Sequence, residues 1–504
     1  MRFLRAAAFL TAALHCVLFL TVVFLRIRYP YELEWIEGGI LQHVQRILAG
    51  LPLFTAPSLD WTPLLYGPLY YFVSAAVTRV VGEGFLPLRL VSFASSVGVA
   101  VTVFWLVRHE TRSRAAGFLA SAFFIAGYKT MGSWYDIARV DGIFVLLLMA
   151  AVVAYRCYRG TVSALVAALL LGLAFLAKQT TLVAVAPLMI WALWRERRRA
   201  LWLVSATAVS IAAIMFVGQM RTGGWFLYYT MGLAGKHPVV KPMLIDFWIG
   251  DVLAPSSVAV LFAAFFFWFQ GTTSSRERPD VEGSVTPSAW GSRPREFYAV
   301  LAIGMGGASW GSRLHEGGWF NVLMPGFAAL AVLFGLGIHV ALSLIHARLD
   351  SLRGRMLGLV YLAVTIQFVR CAYNPFQEIP SRADRETGDR IVETLSRAPG
   401  DVFVPDHPYL AIRAGKRGTA HRAAIDDIMR THDAHAKELE AQLPREVEDR
   451  KFVAALVDNG LMLPLLGDSF HKEPDLIRDD SFWPVVGMKT RPAFLFVREE
   501  DAAR

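Results

Sequence analysis

"MRFLRAAAFLTAALHCVLFLTVVFLRIRYPYELEWIEGG" (residues 1–39) sets an unbroken apolar run against three glutamates. The run, near residues 6–27, has the roughly 20 residues that a helix needs to cross about 30 Å of hydrocarbon. A cleaved signal peptide would carry an apolar core of roughly 7–15 residues and then a small-residue cleavage site. Neither fits here, so the stretch reads as an uncleaved first membrane helix. Glu32, Glu34 and Glu37 then stand at the rim of a bilayer, where acids need a reason to be.

Similar apolar runs recur through the 504 residues, 55% of which are apolar, and the mean hydropathy is +0.44. The chain therefore reads as a polytopic α-helical membrane protein. Its net charge of +9, from 50 basic and 41 acidic residues, arises largely from Arg clusters in short loops. Such clusters set topology and contact anionic lipid headgroups. No basic stripe with interleaved aromatics is present, so nucleic acid is not an expected partner, whereas membrane lipids are. The three cysteines, Cys16, Cys157 and Cys371, are too dispersed for a disulfide framework or a metal knot.

Apolar runs fall near residues 6–27, 86–107, 115–128, 142–156, 161–177, 180–194, 200–219, 251–269, 297–312, 319–345 and 356–372. With the N-terminus inside, the clusters after the second, fourth, sixth, eighth and tenth runs, among them "RERRR" (195–199), all face the cytoplasm, as the Lys/Arg bias requires. About eleven crossings then put the C-terminus outside an inner membrane. The segment "LLYGPLYYFVSAAVTRVV" (64–81) would invert this pattern if it crossed. With its prolines and interface-type aromatics it reads as a helix lying along the outer face, and "GGILQHVQRILAG" (38–50) as a second. Residues 1–372 form the membrane domain, with 271–296 a Ser/Gly/Pro/Arg-rich cytoplasmic loop expected to be disordered. Residues 373–504 form a small soluble α/β domain outside: "DVFVPDH" and "AFLFVRE" read as strands, "RETGDRIVETLSRA" and "RAAIDDIMRTHDAHAKELEAQL" as helices.

Sorted by side, the unusual polar residues gather on the outer face. They are the three glutamates; Asp136, Arg139 and Asp141 in "GSWYDIARVDG"; Lys178 in "AKQTT"; and Arg313, His315, Glu316 and Asn321 in "GSRLHEGGWFN". Ionisable groups at such depth mark substrate or ion pathways. Acids suit general-base work on an acceptor, or a divalent cation such as Mg, Mn or Zn. Arg139, Lys178, Arg313 and His315 suit a phosphate. Together they fit group transfer from a membrane-bound phosphate donor, with fixed cations stabilising the departing charge. Ordinary roles stand beside these: Asp136 and Asp141 flank Arg139 and can pair with it, and Lys178 can snorkel to headgroups.

At these residues the chain resembles the GT-C superfamily of integral-membrane glycosyltransferases, in the bacterial branch similar to protein O-mannosyltransferases and lipid A aminoarabinose transferases. The resemblance runs through "ELEWIEGG", "RILAGLPLF", "YGPLYYFVSA", "LRLVS", "WYDIARVDGIF" and "LAFLAKQTTL", over roughly residues 30–190, and extends weakly to "GGWFNVLMPGFAAL" (317–330). It implies transfer of a hexosyl or pentosyl group, by inversion, from a polyprenyl-phosphate-linked sugar donor to a glycan, lipid or protein acceptor. An acid of the first outer loop would be the base. Many relatives carry adjacent Asp-Glu there whereas this chain has Glu-x-x-Glu, so Glu34 and Glu37 are both candidates. A transporter or flippase of lipid-linked sugars is the alternative; it would be expected to show repeat symmetry and broken midplane helices.

Overall fold

The computed structural model describes residues 1–269, 294–348, 351–466, 469–477 and 479–498. Each of the eleven apolar runs is helical: α1 (Arg2–Arg26), α4 (Phe85–Thr111), α5 (Arg114–Ala126), α6 (Asp141–Cys157), α7 (Thr161–Ala177), α8 (Thr181–Arg195), α9 (Arg197–Thr222), α12 (Ala254–Phe269), α13 (Pro294–Arg313), α14 (Met324–Arg348) and α15 (Arg353–Arg370). Between α9 and α12 the chain makes the short turns α10 (Trp225–Leu227) and α11 (Met243–Asp246), a 3-10 turn at Ala234–Lys236, and π-helical stretches at Tyr228–Gly232 and Phe247–Leu253. By length and composition five helical segments are able to cross a membrane: Arg2–Arg26, Phe85–Thr111, Arg197–Thr222, Met243–Phe269 and Phe320–Ala347. A sixth arises if Arg353–Arg370 is joined across a 45° bend to Pro375–Arg397. The apolar helices α5, α7 and α8 have only 13, 17 and 15 residues, short of the roughly 20 that the hydrocarbon core asks for. Apart from Pro294–Glu296, which open α13, the 271–296 loop lies outside the described residues.

The segment between the first two long helices forms α2 (Glu37–Leu48) and α3 (Leu69–Val81). At 12 and 13 residues and 1.5 Å of rise per residue, neither reaches more than about 20 Å. They pack on one another, and α3 packs on α4. Of the apolar residues in "GGILQHVQRILAG", Ile40 and Val44 are buried and Ile47 and Leu48 half-buried, and the polar Gln42 and His43 between them are buried as well.

The C-terminal part combines α16 (Arg382–Arg397), α17 (Pro408–Arg413), α18 (Arg422–Met429) and α19 (Ala434–Arg450) with a four-stranded sheet in the order β1-β2-β4-β3. β1 (Val402–Phe403) and β4 (Phe494–Arg498) fall inside the two stretches read as strands. β2 (Ala454–Val457) and β3 (Phe470–Lys472) are additional. β1 pairs parallel with β2 through Val402↔Ala454 and Phe403↔Ala455, which requires a crossover connection; α17, α18 and α19 supply it. β2 is buried along its whole length, and the apolar faces of α18 and α19 (Ile425, Ile428, Leu439, Leu443) close the core beside it. α17 packs directly on α2, so the sheet domain sits on the first loop.

Candidate functional site

The "YELEWIEGG" loop is almost wholly buried: Glu32, Glu34 and Glu37 are 7%, 3% and 0% exposed. Three buried acids so close together demand partners, and each has a different one.

Glu37 is saturated. Its Oε1 accepts from Arg89 Nε at 2.9 Å and Ala138 N at 2.6 Å. Its Oε2 accepts from Arg89 Nη2 at 2.6 Å and Leu33 N at 2.7 Å. Burial pushes the carboxyl up, but Arg89 and the two backbone N–H groups outweigh it and hold Glu37 below the ordinary range. Arg89, itself fully buried, also donates to the carbonyls of Tyr29 and Tyr31 at 2.6 Å. This pair ties α4 to the loop and leaves no lone pair for a substrate.

Glu34 is half engaged. Its Oε2 accepts from Arg139 Nη1 at 2.8 Å and from Ile36 N at 3.2 Å. Its Oε1 accepts no hydrogen bond among the described residues. Burial raises this carboxyl above the ordinary value, against the pull of Arg139. Arg139 donates through Nη2 to Tyr66 Oη at 2.9 Å, and its guanidinium lies 5.3 Å from the Trp134 ring centroid. Arg139 Nε and Trp134 Nε1 are buried donors that meet no partner among the described residues.

The Tyr66 ring faces two cations, with Arg139 at 5.6 Å and Lys178 Nζ at 5.9 Å from its centroid. Lys178 follows the last turn of α7. Gly67 lets the Tyr66 turn press there, because a Cβ would run into the Leu176 carbonyl. Lys178 donates to Asp141 Oδ1 at 2.7 Å, and Asn321 Nδ2 donates to Asp141 Oδ2 at 3.0 Å. Asp141 opens α6, where the helix dipole favours an anion. A continuous polar chain thus runs Glu34–Arg139–Tyr66 and, across the Tyr66 ring, Lys178–Asp141–Asn321. From the C-terminal domain Asp427 faces the same Arg139 and Tyr66; burial pushes it up to about 7.

The remaining residues singled out from sequence lie elsewhere. Asp136 is locked by Arg26, whose Nε and Nη2 donate at 2.8 and 2.5 Å, and by Tyr128 Oη at 3.0 Å; both charges are fully buried. Asp136 therefore pairs with Arg26 and not with its neighbour Arg139. Arg313 pairs with Asp251 at 2.8 Å. His315 forms an isolated bridge with Val239, and Glu316, half exposed, lies 3.9 Å from Arg430. Among the described residues none of these three hydrogen-bonds to the Glu34–Asn321 chain. Among the described residues no group of three His, Cys, Asp or Glu is placed to hold a metal ion, and Glu34, Glu37 and Asp141 are each met by a basic side chain.

The helical bundle with its appended sheet domain is similar in fold to solved structures that cover nearly the whole chain. Residues 63–225 match the family described as dolichyl-phosphate-mannose-protein mannosyltransferase. The structure is similar to ArnT from Cupriavidus metallidurans bound to undecaprenyl phosphate, with a TM-score of 0.59, 13% identity, and 97% of each chain covered. It is also similar to the Archaeoglobus fulgidus oligosaccharyltransferase in the apo form (TM-score 0.51, 12% identity, 92% of this chain and 73% of that one). The archaeal AglB from the same organism, in complex with an inhibitory peptide and a dolichol-phosphate, gives a TM-score of 0.52 at 12% identity, covering 90% and 70%. No curated protein sequence matches the chain.

Proposed function

We propose that this protein transfers a sugar from a polyprenyl-phosphate-linked donor to an acceptor at the extracytoplasmic face of the membrane, with Glu34 as general base. The observation that carries the reading is the asymmetry of the two glutamates. Glu37 has every lone pair of its carboxylate engaged by Arg89 and backbone, whereas Glu34 has one oxygen fixed by Arg139 and the other free. A base must be held firmly and still offer an oxygen to the proton it takes.

In this mechanism Glu34 Oε1 removes the proton from the acceptor hydroxyl or amine as that atom attacks the anomeric carbon. The bond between the anomeric carbon and the phosphate oxygen breaks, and the polyprenyl phosphate leaves with the electron pair. Arg139 and Lys178, on either side of Tyr66, are the cations that would receive the developing negative charge, the unpartnered Arg139 Nε being a donor already oriented for it. The resemblance of the bundle to one structure bound to undecaprenyl phosphate and another in complex with a dolichol-phosphate supports a lipid-linked donor. The donor sugar and the acceptor are to be read from the glycans themselves, by mass spectrometry of the envelope with and without the protein.

The test is glycan transfer in membranes supplied with lipid-linked sugar, comparing the native protein with Glu34→Gln. Loss of transfer in the variant is expected. Movement of lipid-linked sugar across liposomes without any transfer by the native protein would overturn the reading in favour of a transporter.

A further inference from the structure

We infer that the C-terminal domain is a working part of the transfer site, with Gly487 as a positioning residue for Glu34; this rests on the assignment of Glu34 as base. Gly487 has φ +75°. A Cβ there would lie 2.9 Å from Glu34 Cγ, 3.5 Å from Glu34 Oε1 and 3.4 Å from the Trp134 ring. The residue beside it is fixed to the same loop, since Val486 N donates to Leu33 O at 2.9 Å. The 486–487 backbone therefore forms a wall against the side chain whose free oxygen the reaction needs. Any side chain at 487 would push the carboxylate or the wall aside.

The same domain grips the loop on both sides of Glu34. Glu32 Oε2 meets His407 Nδ1 at 2.5 Å, and His407 Nε2 meets Asp458 Oδ2 at 3.1 Å. His407 thus bridges Glu32 of the loop and Asp458 of its own domain. Glu32 Oε1 in turn accepts from Gly38 N at 3.0 Å. Trp35 Nε1 donates to Asp406 O at 2.9 Å, and His421 Nε2 lies 3.1 Å from Trp35 O. Residues 32, 33 and 35 are thus held by the C-terminal domain while the Glu34 carboxylate is held by Arg139. A loop pinned on both sides of Glu34 fixes the direction of its side chain. The domain then sets the base's geometry, and a displacement on the order of 1 Å can cost about 100-fold in rate.

The test uses the full-length protein in liposomes with lipid-linked sugar and acceptor, comparing native, Glu34→Gln, Gly487→Ala and His407→Asn. Gly487→Ala is expected to lower kcat at least 10-fold with the KM for the lipid-linked donor unchanged, and to shift the acid limb of the pH–rate profile, because the Glu34–Arg139 pair is disturbed. His407→Asn, which loosens the loop from its other side, is expected to show the same split; it decides the matter if Gly487→Ala does not fold. Folded variants with native kcat and native pH profile, alongside an inactive Glu34→Gln, would overturn the inference and leave the base assignment standing. Full activity of Glu34→Gln would remove both.

Discussion

Replacing Glu37 by glutamine is expected to cost this protein its stability before its chemistry. In the native site both Glu37 oxygens accept two hydrogen bonds, one from Arg89 and one from backbone. Glutamine keeps one oxygen and turns the other into an NH2 group. Whichever way the amide is oriented, that NH2 faces an Arg89 N–H and a backbone N–H, so two of the four bonds become donor–donor contacts. The Arg89 charge, fully buried, also loses its counter-ion. Leaving one member of a buried ion pair uncompensated costs about 3–5 kcal/mol, a large share of the roughly 5–15 kcal/mol that holds a folded domain together. The assay is thermal unfolding of the purified protein in detergent, read beside the amount recovered in the membrane. Glu37→Gln should unfold at clearly lower temperature than native, and Glu34→Gln closer to native, because a Gln oxygen in the place of Glu34 Oε2 keeps both hydrogen bonds, from Arg139 and Ile36 N, and only the charge opposite Arg139 is lost. Native-like unfolding of Glu37→Gln together with lost transfer would refute the reasoning and move the base assignment to Glu37.

Three further outcomes follow from the same geometry. Lys178→Gln, which removes the partner of Asp141 and a cation beside Tyr66, should raise the KM for a polyprenyl-phosphate sugar at least 10-fold in liposome transfer kinetics. Arg139→Gln should move the acid limb of the pH–rate profile upward, since burial already raises Glu34 and Arg139 is the main group opposing it; a limb that stays in place would show that another group titrates. Asp427, raised by burial to about 7 against the pull of Arg430, favours the fold while protonated. Its contribution is complete below the ordinary carboxylate range and is lost as pH rises through about 7. Asp427→Asn should therefore flatten the fall in unfolding temperature that runs from the ordinary carboxylate range up to about pH 7.

The bundle was legible because a long apolar run has few alternatives to a helix, and each of the eleven runs is helical. β2 was not, since "AALV" buried on both faces has no alternation to distinguish it from a core helix segment. In the site, the convergence of Glu34, Arg139, Asp141 and Lys178 could be read from their shared side of the topology. The choice between Glu34 and Glu37 could not, because it depends on Arg89, 52 residues along the chain from Glu37. One signal pointed there. Arg26 and Arg89 stand on the side opposite the basic clusters in the expected topology, where an arginine has no topological role and needs a buried acid. They hold Asp136 and Glu37, the two acids that the structure takes out of the substrate's reach. Gly487 and His407 gave no sign, as their roles exist only where the C-terminal domain meets the first loop.

The central claim is that the free oxygen of Glu34 takes the acceptor's proton. The direct measurement is single-turnover transfer by purified, folded Glu34→Gln loaded with radiolabelled polyprenyl-phosphate sugar, with donor binding measured separately. Native donor binding and a transfer rate lower by about 10²–10⁴-fold, the usual contribution of a general base, are expected. Transfer within a few fold of native, with the donor bound, would contradict that claim.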